Sequence, residues 1–488
     1  MPTISFGAWA PDAYDLNSGL AGEAKGVLPG ANAYHPWPSL VASSGALGTV
    51  CLGGIAARKS DGNFVTIAGT QTKLQQYATS TTWTDRSGAT YNVPSGEYWS
   101  MAQYGSVVYA TNGNDGLLSM DVDSGTSFAS VAGAPAGARI VKAVGDFLML
   151  GRTTNYPTGV EWSALNDATY WTHGSRSSDF QLFPDGGFVT GITTLEAGLI
   201  FQENAIRRFA QTTDQTVFSF AKIEDAQGLV ASQSLVSRGT TCFYFGRNGF
   251  RRIGPDTGYV SVPIGLEVVD RWFQSTIDLT RLPIIQGVAD PLKPRIFWLA
   301  PSQGNSSTIL DVLLCYDDGL KQWSHADVSA SVLFATATPG TSMDDLDTLY
   351  PSLDSMTISL DSPTFMGGVP YVGAFDSAFK LAYFNGANMA AIVQTAEFQP
   401  IPGKRTFARG FRPITDAVNA QGRTAARENL QATPTWTAVA DMDDTGFVPQ
   451  RVSGRYMRAE VSVAASEEWT SLQGVEVPDT DLVPDGVR

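Results

Sequence analysis

Few residues in this 488-residue chain combine a type and a spacing that could do chemistry. The three histidines, His35, His173 and His325, each lie close to a tryptophan, Trp37, Trp171 and Trp323. A histidine base needs a partnered nucleophile, and no G-x-S-x-G elbow supplies one, so aromatic-packed histidines at strand ends are the expectation. No H-E-x-x-H, P-loop or strand-borne G-x-G-x-x-G is present either. Cys51, Cys242 and Cys315 are far apart and odd in number, which excludes a disulfide scaffold and leaves zinc without thiolate pairs. Asp441 to Gly446 imitates the start of a calcium loop, but its twelfth position is Val452 where a bidentate glutamate is required. Asp121 to Gly125 is equally incomplete, and both read as solvated turns. Asp344, Asp345 and Asp347 could hold a cation or act as paired glycosidase carboxylates. In a Ser/Thr/Pro-rich segment, such a run reads as an exposed loop. No catalytic residue, metal site or cofactor is predicted, and the chain reads as a non-enzyme.

The composition narrows the class further. Lys plus Arg number 32 against 47 Asp plus Glu, a formal charge of −15. Charged residues make up 16%, below the roughly 25% of an ordinary soluble domain. With 43% hydrophobic residues the chain can bury a large core, which excludes disorder. The acidic balance argues against gripping nucleic acid by its phosphates, though not against letting it slide past. No basic stretch leads an apolar one at the start, and no run reaches 18 apolar residues. The expectation is a chain without signal peptide or membrane span, made in a reducing cytoplasm.

The elements that must position these residues are strands. Short runs of Val, Phe, Tyr and Thr alternate with Asp61-Gly62, Asn112-Gly113, Asp115-Gly116, Asp185-Gly186, Asn248-Gly249, Asp318-Gly319 and Asn385-Gly386. Such dipeptides accept the positive φ of tight hairpin turns. Helical periodicity is nearly absent; the best candidates are Gly19 to Val27 and Asp416 to Leu430, the second a helix or a charged loop. A strand–turn–strand unit recurs from Gly62, Gly105, Gly145, Ala197 and Gly239, and more loosely from Pro294 and Gly368. Its first copies recur at about 40 to 50 residues, the period of four-stranded propeller blades. Near residue 395 the composition changes: Lys404, Arg405, Arg409, Arg412, Arg423, Arg427, Arg451, Arg455 and Arg458 follow an aspartate-rich stretch from Asp311 to Asp361. The expected architecture is all-β: residues 1–50 an N-terminal arm and first strand region, 51–394 a β-propeller, 395–488 a smaller sandwich-like domain.

One segment is more specific than the rest. In Val160 to Thr172, VEWSALNDATYWT, two tryptophans bracket a Ser/Asn/Asp turn. It reads as a blade corner, with Asn166 and Asp167 closing an Asx-type turn over Trp162 and Trp171; a sugar-stacking site is the functional alternative. With VKAVGDFLMLGRT before it, GLVASQS and FYFGRNGFRRIGP after it, and FGAWAPDAYDLNSGLAGEAKGVLPGANAYHPWPSL near the start, the chain resembles the tail nozzle (hub) proteins of short-tailed bacteriophages, in the packaged-DNA-stabilisation and tail-accessory group. The W-S-x-x-N-D-x-x-x-W signature falls on Trp162, Ser163, Asn166, Asp167 and Trp171. The likeness is good over residues 5–275 and loose beyond, where the arginine-rich stretch matches no family motif.

The resemblance implies a propeller platform in a homo-oligomeric ring, a hexamer, in the virion tail beneath the portal-adaptor proteins. Assembly in the host cytoplasm, docked tail fibres, tailspikes or needle proteins, and double-stranded DNA passing through the lumen at ejection are implied with it. The opposite charges of Asp344, Asp345, Asp347 and of Arg405, Arg409, Arg412 suggest pairing between neighbouring subunits. The alternative function is a carbohydrate-binding or polysaccharide-degrading phage tail propeller.

Overall fold

A computed structural model describes residues 3–78, 82–194, 198–212, 216–337, 352, 356, 368–478 and 482–484. Five consecutive four-stranded antiparallel sheets begin at Gly54, Ser100, Ile140, Val189 and Val236, each a meander in sequence order. They form blades 1 to 5. Blade 6 uses Gln286–Ala289, Arg295–Ala300, Leu310–Asp317 and the first half of the long strand Gln322–Ala337. The second half of that strand starts blade 7, pairing with Pro370–Asp376, which pairs in turn with Lys380–Asn388. The fourth strand of blade 7 is Pro38–Ala46, from the other end of the propeller segment. This closure pairs the last blade's outer edge with an early segment, so the ring cannot open without breaking a ladder.

The protein is therefore a seven-bladed β-propeller. Each sequence copy supplies the second strand of one blade: Phe64–Gly69, Val107–Thr111, Phe147–Gly151, Leu199–Gln202, Thr241–Gly246, Arg295–Ala300 and Pro370–Asp376. The two looser copies fall in the blades that share Gln322–Ala337. Of the turn dipeptides, Asn385-Gly386 lies inside the strand Lys380–Asn388 and makes no hairpin turn. There Gly386 permits close approach of Ser39 and Val41 from the closing strand, which a Cβ would meet at 2.4 to 2.5 Å.

Beyond the ring lies a sandwich drawn from both chain ends. One sheet contains Ala21–Lys25, Ala391–Thr395, Tyr456–Val463 and Ala420–Arg427, and it is continuous with blade 6 through Lys25 and His325. The other contains Val27–Pro29, Tyr34–Pro36, Leu472–Glu476, Thr406–Thr415 and Val448–Gly454, with Thr3–Ser5 and Leu482–Pro484 paired onto it. The strands of residues 3–50 thus form no separate arm; they divide between the sandwich and blade 7. Both expected helical segments are strands. Ala21–Lys25 finds a ladder partner in Ala391–Thr395, and Ala420–Arg427 pairs along its whole length with Tyr456–Val463. Tertiary partners outweigh their local helix preference.

The α-helix Asp270–Thr276 lies where sequence periodicity shows none; the Asp12 carboxylate accepts hydrogen bonds from its Arg271 and Trp272 amides at 2.6 and 2.8 Å. A shared core joins propeller and sandwich. Phe250 packs on Phe273, Trp298 and Trp323 at 4.7 to 5.2 Å, in one apolar cluster with Phe411, Val461 and Leu472. Trp9, from the N-terminal segment, packs edge-on against Trp272 and tilted against His325, both at 4.8 Å.

Candidate functional site

The first strands of all seven blades surround one axis. Gly54, Met101, Lys142, Thr190, Ser237, Gln286 and Val332 line a cavity of about 380 Å³ along it. Neighbouring inner strands are fastened by side chains. Gln286 donates to the Ser331 carbonyl at 2.9 Å and accepts from the Leu333 amide at 3.0 Å, while Ser100 Oγ accepts from the Val141 amide at 3.0 Å. The lining is mostly hydroxyl, amide and backbone. Among the described residues, Lys142 is the one charged side chain that an inner strand contributes to it.

At one end the channel meets a wider mouth of about 980 Å³, lined by Arg139, Arg152 and Arg247 from loops and Arg281 from the short 3-10 helix Leu279–Ile284, with Glu97 and Glu203. Arg139 is paired with Glu97. Arg281 donates to the Ser307 carbonyl at 2.7 Å and also to the Asn305 carbonyl. Arg152 forms no ion pair among the described residues and lies over the Phe188 ring at 4.9 Å. Burial, and then the nearby Arg139 charge, hold its pKa below the ordinary arginine value. This mouth was missed by sequence reasoning because Arg139 and Arg152 from blade 3 meet Arg247 and Arg281 only through the closure of the ring. Lys142 alone left a trace: it interrupts the apolar run Ile140-Val141-Lys142-Ala143-Val144.

The signature segment forms a corner of blade 3. Ser163 closes it in both directions, its amide donating to the Leu148 carbonyl at 2.9 Å and its Oγ accepting from the Leu148 amide at 3.0 Å. Asn166 takes φ 54°, which asparagine tolerates, and Asp167 accepts from the Thr169 amide and hydroxyl at 3.1 and 2.6 Å. The Thr169 hydroxyl first, and then its amide and the Arg176 charge, hold the Asp167 carboxyl below its usual pKa against desolvation. The tryptophans go to opposite faces of the blade. Trp162 packs on Phe218 towards blade 4, and Trp171 lies with Tyr109 and Leu117 towards blade 2. Both are buried, and their indole N–H groups donate to the Ser177 and Ala168 carbonyls at 2.8 and 3.0 Å. Neither ring offers an open face for sugar stacking.

The charged residues singled out for subunit pairing separate into three groups. Asp344, Asp345 and Asp347 lie outside the described residues. Arg405 pairs with Glu428 at 3.1 Å within the sandwich, and Arg412 lies over the Phe447 ring at 5.8 Å. Arg409 projects exposed from its strand. Much of the remaining arginine-rich stretch holds the sandwich together: Arg423 with Glu460, Arg427 with Glu397, and Arg458 with Asp15. The described aspartates of the acidic stretch are engaged as well, Asp317 with Arg295, Asp318 with Arg252 and Lys321, and Asp327 with Lys25.

Two of the three histidines, His173 and His325, have aromatic and carboxylate neighbours. His325 lies between Trp9 and Trp272 and pairs with Glu23. His173 lies 4.8 Å from the Phe180 ring and meets buried Glu161 at 3.1 Å; Glu161 also accepts from Thr153 at 2.6 Å. His35 is exposed, with Nδ1 2.8 Å from the Thr470 carbonyl. Asp443 and Asp121 direct their carboxylates back onto the amides of their own turns, at 2.8 to 3.0 Å. Among the described residues, no three His, Cys, Asp or Glu side chains cluster as a metal site would require.

No protein family and no curated protein sequence matches the chain. Among solved structures it is similar to the N-terminal domain of Nup159, with 10% identity and a TM-score of 0.41 over 73% of this chain and 97% of that one. It is also similar to streptogramin B lyase, with 9% identity and a TM-score of 0.41 over 71% and 98%. YCF48 bound to D1 peptide gives 12% identity and a TM-score of 0.38 over 72% and 95%. Likeness at this level concerns the propeller fold alone.

Proposed function

We propose that this chain is a structural subunit of the tail nozzle of a short-tailed bacteriophage. In this reading it forms a hexameric ring beneath the portal-adaptor proteins, retains packaged DNA until ejection and carries tail fibres. The observation that supports it is the Val160 to Thr172 corner. Its Trp, Ser, Asn and Asp residues match the family signature, and each holds the corner in shape.

The geometry constrains where DNA would travel. At about 30 Å³ per molecule, a 380 Å³ cavity holds roughly a dozen waters, so a duplex does not thread one subunit's axis. The conduit in this reading lies between subunits. There, a charge of −15 on every copy gives the wall the sign that keeps phosphates from sticking.

Ring closure requires a heterologous contact. Arg409 and Arg451 suit it: both are exposed, lie on neighbouring strands of one sheet, and have no ion-pair partner among the described residues. Like charges on adjacent strands disfavour the isolated subunit and favour an acidic neighbour. Reversing Arg409 and Arg451 to glutamate is expected to dissociate the ring in native mass spectrometry. Adding lysines at Asp344, Asp345 and Asp347 should restore part of it. A ring indifferent to the reversal, or a loss without rescue, would remove this contact from the proposal.

A further inference from the structure

Lys142 is out of place by the rules that built its strand. Alternation along Ile140–Val144 puts it on the same face as Ile140 and Val144, which are buried between blades 3 and 4. An apolar residue would be stabilising there. Instead an ammonium group lines the axial cavity, with no hydrogen bond or ion pair among the described residues. Burial alone pulls its pKa below the ordinary lysine value, with no carboxylate near enough to offset it. Lys142 is half-buried on the cavity wall; an unpaired charge held there is costly, and the usual compensation is an opposite charge.

The surroundings supply what an anion needs besides that charge. Arg152, also without an ion pair, lines both the cavity and its mouth, and Arg139 reaches both while paired with Glu97. Ser237, Thr190 and Gln286 add neutral polar groups around the axis. The mouth as a whole carries four arginines against two glutamates, on a chain whose net charge is −15. The cavity volume of about 380 Å³ falls within the range of small-ligand sites, roughly 300 to 1,000 Å³.

We propose that the axial channel is a binding site for a compact oxyanion, held by Lys142 inside and by Arg152 at the mouth. The shared chemistry is a phosphate or carboxylate group, either free inorganic phosphate or the carboxylate of a sugar acid. The site lies within a single subunit and does not depend on the nozzle reading.

Isothermal titration at low ionic strength tests it, with inorganic phosphate, galacturonate and neutral galactose as separate probes. Saturable binding of phosphate or galacturonate, but not galactose, is expected; which of the two binds identifies the source. Lys142→Met should weaken that binding by at least about tenfold. In the same variant the ligand-free protein should melt at a higher temperature, because an unpaired charge has been removed. A purely structural lysine would lower the melting temperature instead. Arg152→Gln, farther from the core, provides a second reading should Lys142→Met not fold. Absence of saturable binding by either anion, or unchanged affinity in the folded variants, would overturn the site. Because the measurement uses the isolated chain, its failure leaves ring assembly untouched, and a failure to assemble leaves the site untouched.

Discussion

In blades 1 to 5 every strand pairs with its neighbour in sequence, so each sheet closes within about 30 to 45 residues. In the sandwich, by contrast, Thr3–Ser5 pairs with Leu472–Glu476, and Ala21–Lys25 with Ala391–Thr395. The propeller is assembled from local hairpins and the sandwich from the two chain ends. Local ladders cost little loop entropy, while end-to-end ladders wait until the intervening chain is compact. The difference extends to electrostatics. In blades 1 to 5 most ion pairs leave at least one partner exposed, as with Lys73 and Asp85, whereas the sandwich buries Glu397 against Arg427 and blade 6 buries Asp317 against Arg295.

The largest expected effect comes from removing residues 1–46. That deletion takes four strands from the sandwich and the closing strand from blade 7, and the cooperative melting transition should disappear from circular dichroism. A surviving native-like transition would mean that the ring does not depend on its closing strand. Next is Trp162→Ala, which empties a packed site between blades 3 and 4 and should cost about 3 to 5 kcal/mol in chemical denaturation. Glu397→Ala leaves the Arg427 guanidinium without its carboxylate and should cost about 3 kcal/mol. Lys73→Ala, which breaks an exposed propeller pair, should cost less than about 1 kcal/mol. Equal costs at these two pairs would erase the electrostatic contrast.

At the junction of the two regions, Asp270 gives a pH signature. Burial, with the nearby Asp12 charge adding to it, raises its pKa to about 6 against a hydrogen bond from the Phe250 amide. The folded state therefore holds a proton that the unfolded chain releases at its ordinary carboxylate pKa, about 4. This contribution to stability is fully present below pH 4 and lost as pH rises through 6, about 3 kcal/mol in all. Asp270→Asn should flatten stability over that interval in melts at stepped pH. A slope unchanged by the substitution would assign the titration to another group.

The propeller was readable in the sequence because its unit repeats. Every copy from Gly62 to Gly368 marks a second strand, even where the period stretches. Blade number was not readable, since the shared strand Gln322–Ala337 hides the boundary between blades 6 and 7. The sandwich was only half visible. The alternation of Tyr456–Val463 announces a strand, but nothing local in Ala21–Lys25 shows that its partner lies hundreds of residues away. The corner at Trp162 and Trp171 was readable because one short segment contains it. The axial site was not, because the inner strands of all seven blades share its lining, and of the charges that blade 3 places there only Lys142 breaks a local pattern.

The central proposal, a ring-forming structural subunit, is tested most directly by native mass spectrometry of the purified wild-type chain, alone and mixed with tail particles. The account predicts a closed symmetric oligomer of six copies, formed alone or upon joining tails. A chain that stays monomeric in both conditions and never associates with tails would contradict it.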